Sequence, residues 1–560
     1  MMGLLTDAGL GFDSGHATTT TTTTAIAATV AVVSLSLYLA LYWMQTRKVH
    51  PDEPPIIASP VPFVGQILGM AIWGGRYVKS IGIRNQDKPI FTLPLSPRSR
   101  IYIVTDPSLA AAVQRASRTL SFTPLIPDLT KRVLGLDDAT VSIVRQNLDP
   151  VGAGDPRGFL ADMHDLVYTS LSPGEALDEL TLSAARELAA QISSFASTLP
   201  PEKSKGNKIS LLAFIRALVT PATARLLYGP SNPLTKSPSL AAALWKFDAG
   251  VPSLLLNILP SLTARKAYLA REALTSAFAT YLSNDSHTQS ASPLVQKRIQ
   301  TAQRHGLSLD GTARSELSFL FAGVVNTATT AFWAVARVFA DNTQLLEIIR
   351  EEVHKAVVVH TCDKNDEGVE TIELDLKILK TADCAPILHA VLRECLRLGS
   401  DNFSTRLVTS QGSSTLLAGK WFLSEGSVVQ IAGGVVHADR RVWGENADGF
   451  DYKRFLSSAA VGDNDNDNGK GNGKSVHPAA FRAFGGGKTL CPGRHFATRE
   501  VVALVAMFVL MFDLEAVDGG LLVVPEKEDG ALPVHILEPK GGDVQVMIRR
   551  REGVGRVVVA

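Results

Sequence analysis

The sequence predicts a mainly α-helical protein with small β-sheets, preceded by one N-terminal transmembrane helix. Three observations carry that reading. Most of the chain from about Ala161 to Phe339 has helical period, and "RHFATREVVALVAMFVLMFDL" is apolar nearly all round from Val501 to Phe512, as in a helix buried on every side. Only short stretches such as "IFTLPL" and "RIYIVTD" read as strands. Near the amino end, "AIAATVAVVSLSLYLALYW", Ala25 to Trp43, is uncharged. As a helix it would be about 28 Å long, enough to cross a hydrocarbon core.

Taken in order, residues 1–24 read as a flexible tail ending in the threonine run Thr18 to Thr24, and 25–43 as the anchor. A secretory signal peptide is the rival, but it needs positive charge before the apolar run and small residues after it. Here Asp7 and Asp13 precede the run and Arg47 and Lys48 follow it, which puts the carboxyl side in the cytosol. Residues 44–62 form a basic, Pro-rich linker, stiff and extended through prolines 51, 54, 55, 60 and 62. The two strands and a helix from Pro107 to about Ser117 then open one large domain over 63–560. Within it the Gly/Asn-rich, charged "VGDNDNDNGKGNGKSVH", 461–477, is a low-complexity surface insertion with too little apolar content to pack.

With 560 residues, 46% hydrophobic and 19% charged, the chain has ample length for a core, and its net charge of +1 gives no electrostatic case for nucleic acid. Cys362, Cys384, Cys395 and Cys491 are widely spaced without a C-x-x-C, so neither zinc nor a disulfide framework is suggested.

The chemistry concentrates in "FGGGKTLCPGRHFA", Phe484 to Ala497. "GGGKT" has the look of a phosphate loop, but the first glycine of that pattern would fall on Arg482, and Pro492 would break the helix such a loop must start. From the cysteine outward, the glycines allow close backbone approach to a flat ligand, and free N–H groups can point at the sulfur. Cys491 just before a helix N-terminus is placed to be ionised and to ligate iron; a buried structural cysteine is the plain alternative. Phe484, Gly487, Cys491 and Gly493 match F-x-x-G-x-x-x-C-x-G, and here the chain resembles the haem-binding loop of the cytochrome P450 family. The family usually has Arg or His two residues before the cysteine against a haem propionate; this chain has Thr489, with Lys488 as a neighbouring candidate.

That resemblance implies further residues. "APILHAVLRECLRL" puts Glu394 and Arg397 at i and i+3 on one helix face, and "FDYKRF" supplies Arg454. In the family these form a buried three-residue ion network, although Tyr452 and Lys453 replace the usual Pro and Glu. Arg406 in "NFSTRLVT" falls where members place a basic residue against a propionate. "ELSFLFAGVVNTATTAFWAVARVF", Glu316 to Phe339, could by length be a second span, but Ser318, Asn326, Thr327, Thr329 and Thr330 suit a helix crossing a protein interior beside a cofactor. It resembles the family's oxygen-binding helix, A-G-x-[DE]-T-T, with Ala322 and Gly323 in place, Val325 and Asn326 at the acid and alcohol positions, and Thr327 following. Asn there, with Phe332 and Trp333 after it, resembles the branch of sterol 7-alpha- and 12-alpha-hydroxylases and prostacyclin synthase, in a fungal-type microsomal member.

The resemblance implies the cytochrome P450 fold and a haem-thiolate monooxygenase: haem b with iron ligated by Cys491, O2 and a small apolar sterol-, terpenoid- or polyketide-like substrate, and an endoplasmic reticulum anchor. No G-x-G-x-x-G fingerprint opens a helix, so electrons come from NADPH-cytochrome P450 reductase, with cytochrome b5 as a second donor. A haem-thiolate isomerase or dehydratase acting on a peroxide without reductase, and a non-catalytic haem-binding module, stay open as alternatives.

Overall fold

The computed structural model describes residues 16–560 apart from 151–153, 200–205, 341, 361–369, 410–414, 457–475, 531–534 and 553. Most of the low-complexity insertion at 461–477 and Cys362 therefore lie outside the described residues.

The N-terminal helix runs His16–Thr46, so it begins inside the segment expected as a flexible tail and takes in the threonine run. Its apolar part, Thr24–Thr46, is long enough to cross a membrane and none of its most apolar stretch is buried against protein. The Pro-rich linker is docked onto the body. Gln45 donates to the Ser59 carbonyl (2.8 Å) and accepts from the Phe63 N–H (3.0 Å). Glu53, fully buried, pairs with Arg100 at 3.0 Å and accepts from the Val49 N–H at 2.8 Å. A buried charge is tolerable only when paired in this way.

Strands Ile90–Pro94 and Arg100–Val104 pair antiparallel and, with Val428–Ala432, Phe403–Val408 and Leu120–Ser121, complete a five-stranded sheet. The next helix, Pro107–Arg115, starts where Pro and a cap coincide: Asp106 Oδ1 accepts from the N–H groups of Ser108 (2.9 Å) and Leu109 (3.0 Å). Two further small sheets and a hairpin lie elsewhere, and short strand Asn207–Ser210 interrupts the helical stretch expected from Ala161.

Helix Leu309–Ala340 forms the axis of the body. It packs against helices Leu211–Tyr228, Arg265–Ser283, Pro386–Gly399 and Arg494–Met511. Although apolar enough to span a membrane, it is largely enclosed by these neighbours. In Arg494–Met511 every residue from Val501 onward is buried, matching its all-round apolar pattern. Helix Pro386–Gly399 is capped from outside, the Glu352 carboxylate accepting from the Ile387 and Leu388 N–H groups at 2.9 and 2.8 Å.

Among the exposed apolar side chains of the described residues outside the N-terminal helix, two clusters stand out. One is the face of helix Val64–Arg84 carrying Ile67, Leu68, Ile72 and Trp73; the other is Leu256, Ile258, Leu259 and Leu262.

Candidate active site

Helix Arg494–Met511 begins right after the cysteine, and the loop before it is shaped by glycine. Gly485 and Gly487 have φ of +74° and +61°, a region where a side chain is strained, and a Cβ on Gly486 would fall 1.9 Å from Gln114 Nε2. The turn closes with the Cys491 N–H donating to the Phe484 carbonyl at 2.9 Å. Burial pushes the Cys491 thiol up, opposed by the N–H groups of Gly493 and Arg494 and by the Arg494 charge. The loop by itself therefore does not hold a thiolate, contrary to what its glycines and helix dipole suggest; desolvation outweighs them until a cation faces the sulfur.

Cys491, Phe484 and Gly493 open on a cavity of about 620 Å³ whose walls are mainly apolar. Helix Leu309–Ala340 crosses its other side. Ala322 and Asn326 are exposed to the cavity and Gly323 and Thr327 also line it, while Val324 and Val325 are turned into protein. Among the described residues, this face presents no carboxyl group. Asn326 Oδ1 accepts from the Ile536 N–H at 2.9 Å, which leaves its NH2 group for the cavity. The Thr327 hydroxyl donates back to the Gly323 carbonyl at 3.0 Å.

Arg406 lines the same cavity and is buried. It donates to Thr489 Oγ1 at 2.6 Å and to the Thr405 and Gly486 carbonyls at 2.7 and 3.3 Å. Thr489 thus aims the guanidinium rather than contributing a charge. Lys488 is no substitute: it points outward, 3.9 Å from Asp149. Sequence reading passed over Arg482, which is fully buried and donates to Ser404 Oγ at 3.0 Å. Burial, then the charge of Arg406, lowers it to about 10. Among the described residues neither arginine has a carboxylate partner. Two neighbouring buried cations without an anion are costly, and a flat cofactor bearing acid groups fits that deficit.

The ion network assembles as well. Arg397 grips Glu394 through Nε–Oε2 (2.8 Å) and Nη2–Oε1 (2.7 Å), both side chains fully buried. Arg454 Nε lies 3.4 Å from Glu394 Oε1 and its Nη1 and Nη2 donate to the Trp443 and Asn446 carbonyls. Arg397 Nη1 holds the carbonyls of His437 (2.6 Å) and Ala447 (2.7 Å), so the network pins the meander leading to the cysteine loop. Asp451 caps the turn before Arg454, Oδ1 accepting from the Lys453 N–H at 3.1 Å, while its own N–H donates to Glu394 Oε1 at 3.1 Å. His437, lowered to about 3 by burial, is neutral: Nδ1 donates to the Ser400 carbonyl (2.9 Å) and Nε2 accepts from the Arg482 N–H (2.8 Å).

Two buried acids in contact with chamber-lining residues, Thr223 and His535, were also missed. Glu500 accepts from Thr223 Oγ1 at 3.2 Å, and burial raises it to about 8. Asp248 faces His535 at 3.7 Å. The signal for Glu500 was a lone acid opening an apolar run; nothing local marks Asp248.

A cysteine loop under an apolar chamber, roofed by a long helix and flanked by unpaired buried arginines, defines a haem-thiolate protein. The chain belongs to the cytochrome P450 family, whose model, described as Cytochrome P450, matches residues 255–541. It is 28% identical to "Cytochrome P450 monooxygenase nodJ" of Hypoxylon pulicicidum, over 93% of this chain and 94% of that one. It is 24% identical to the "5-beta-cholestane-3-alpha,7-alpha-diol 12-alpha-hydroxylase" of Sus scrofa, over 88% and 92% of the two chains. "Cytochrome P450 7B1" of Mus musculus is likewise 24% identical, over 86% and 88%. The chain is an oxidoreductase of this kind, using haem iron, O2 and a redox partner.

Proposed function

We propose that this protein is a membrane-anchored monooxygenase that inserts one oxygen atom from O2 into a sterol-, terpenoid- or polyketide-like substrate at the endoplasmic reticulum membrane. NADPH-cytochrome P450 reductase supplies its electrons, with cytochrome b5 as an auxiliary donor. The observation that carries the reading is one largely apolar cavity shared by Cys491 and the Ala322–Thr327 face. Haem iron bound through a thiolate activates dioxygen.

The residues around it take the following roles. Cys491 is the iron ligand, and Phe484, Gly487 and Gly493 shape its loop. Arg406 and Arg482 neutralise the cofactor's acid groups, which removes the cost of their own unpaired charges. Ala322 and Gly323 leave room on the opposite side. The Asn326 NH2 group holds a water by donating to it, and that water carries protons where the family's acid and alcohol positions hold Val325 and Asn326. Thr327 lines the cavity with its hydroxyl turned back to the Gly323 carbonyl. Glu394, Arg397 and Arg454 hold the meander and with it the register of the cysteine loop. Leu256 to Leu262 follow Leu255, which lines the chamber, so the apolar surface patch adjoins the mouth and suits substrates that partition from lipid.

The test is Cys491→Ala in the full-length protein. Loss of the red-shifted band in the reduced CO spectrum, with membrane insertion retained, is expected; an unchanged band would refute the ligand assignment. Label from molecular oxygen in the product of NADPH-supported turnover separates this reading from a peroxide isomerase, which a chamber-facing helix surface without a carboxyl group among the described residues would also suit.

A further inference from the structure

Asp248, on helix Ser239–Ala249, is 1% exposed, and neither of its oxygens has a hydrogen-bond partner. Its neighbour His535 has Nδ1 3.7 Å from Asp248 Oδ1, too long for a hydrogen bond, and that nitrogen is also unpartnered. Glu538 lies in the same cluster, its potential ligand atom within 4.8 Å of those of the other two. A metal ion is disfavoured there. Glu538 is already bonded by Arg216, whose guanidinium is stacked 3.9 Å over the Trp245 ring, so a fixed positive charge occupies the third ligand. Burial, tempered by His535, moves the Asp248 carboxyl to about 6, so near neutral pH it is largely an anion behind the imidazole. His535 itself lines the chamber, and the next residue, Ile536, donates its N–H to Asn326. With Nδ1 turned to Asp248, the Nε2 edge is left to the chamber. Facing polar groups kept buried and unsatisfied are expensive, and closing the 3.7 Å gap would let Nδ1–H donate to Asp248, which fixes the ring with Nε2 as the atom offered to a ligand.

We propose that His535, oriented by Asp248, is a polar anchor of this mainly apolar chamber and takes a hydroxyl group of the substrate. A hydroxyl suits either protonation state of the ring: it donates to a bare Nε2 and accepts from a protonated one. The inference rests on the haem-thiolate reading and narrows it to an apolar molecule already carrying an alcohol at a distance from the oxidised carbon. His535 binds; Asp248 positions.

The experiment uses the haem-loaded full chain and 1-alkylimidazoles of increasing length paired with their ω-hydroxy counterparts. The imidazole ligates the iron and reports binding through the Soret band, whatever the natural substrate is. At one tail length the hydroxyl compound is expected to bind about tenfold more tightly than the methyl-ended one. In His535→Phe the preference reverses, because an unpaired hydroxyl is then buried, while affinity for the methyl-ended series is unchanged. Asp248→Asn, nearly isosteric, reduces the preference severalfold and serves if the Phe variant loads haem poorly. A wild-type protein that favours methyl ends at every length, or a preference that survives in His535→Phe, overturns the anchor. Absence of any Soret shift with the whole series would instead sink the haem-thiolate reading beneath it.

Discussion

Replacing Glu500 by Gln tests how the body is held together beneath the cysteine loop. Glu500 is fully enclosed between helices, Oε1 bonded to Thr223 and Oε2 without a partner. Burial raises its carboxyl from the ordinary 4.5 to about 8. A raised value means that the folded state holds a proton which the unfolded chain releases. The contribution is complete below pH 4.5 and is lost as pH rises through about 8. The full difference corresponds to a ceiling of about 5 kcal/mol, of which about 2 kcal/mol is lost between pH 6 and 8. Gln keeps the shape and has no proton to lose, so the variant gains on wild type by that amount over the interval. Unfolding entropy in a chain of this size is roughly 1 kcal/mol per degree, which converts the gain to about 2 °C. Thermal melts of both proteins at matched scan rate, followed by far-UV circular dichroism at pH 6 and 8, read it out. A Tm difference that does not change between the two pH values would refute the argument, because it would mean that Glu500 is ionised when folded.

Three other outcomes follow from the geometry. Asn326→Ala should retain haem and NADPH consumption but divert electrons to hydrogen peroxide, with product falling roughly a hundredfold; unchanged coupling would reduce Asn326 to its bond with Ile536. Glu394→Gln leaves Arg397 and Arg454 around a neutral partner and should cost on the order of 3–5 kcal/mol, seen as lowered Tm and poor haem retention. Deleting residues 1–46 should release the protein from carbonate-washed membranes only in part, since the patches at 67–73 and 256–262 remain; full retention would point to a second span.

What the sequence made legible was whatever is local. The cysteine loop and the Glu394–Arg397 pair occupy fixed spacings on one turn or one helix face, and a spacing is visible without coordinates. The oxygen-side helix was legible for the same reason, its polar residues recurring among apolar ones. Glu500 and Thr223 are different: they meet across 277 residues of chain, and the chemistry of the acid comes from what surrounds it rather than from its neighbours in sequence. Arg482 was read only as the wrong residue for a phosphate loop, because its burial beside Arg406 depends on a sheet and a loop coming together. Asp248 and His535 belong to that class also. Within the linker, composition marks the prolines, but Glu53 gains its meaning only from Arg100, far away in sequence.

That last contact governs more than stability. A tether would let the catalytic body tumble above the bilayer, so that the chamber mouth met lipid only in passing. The Gln45–Ser59–Phe63 and Glu53–Arg100 contacts act instead as a bracket linking the Thr24–Thr46 helix to the sheet. If that helix is held in lipid, the tilt of the whole body is inherited from the bracket, and the height at which a dissolved substrate meets the chamber becomes a property of the fold rather than of diffusion.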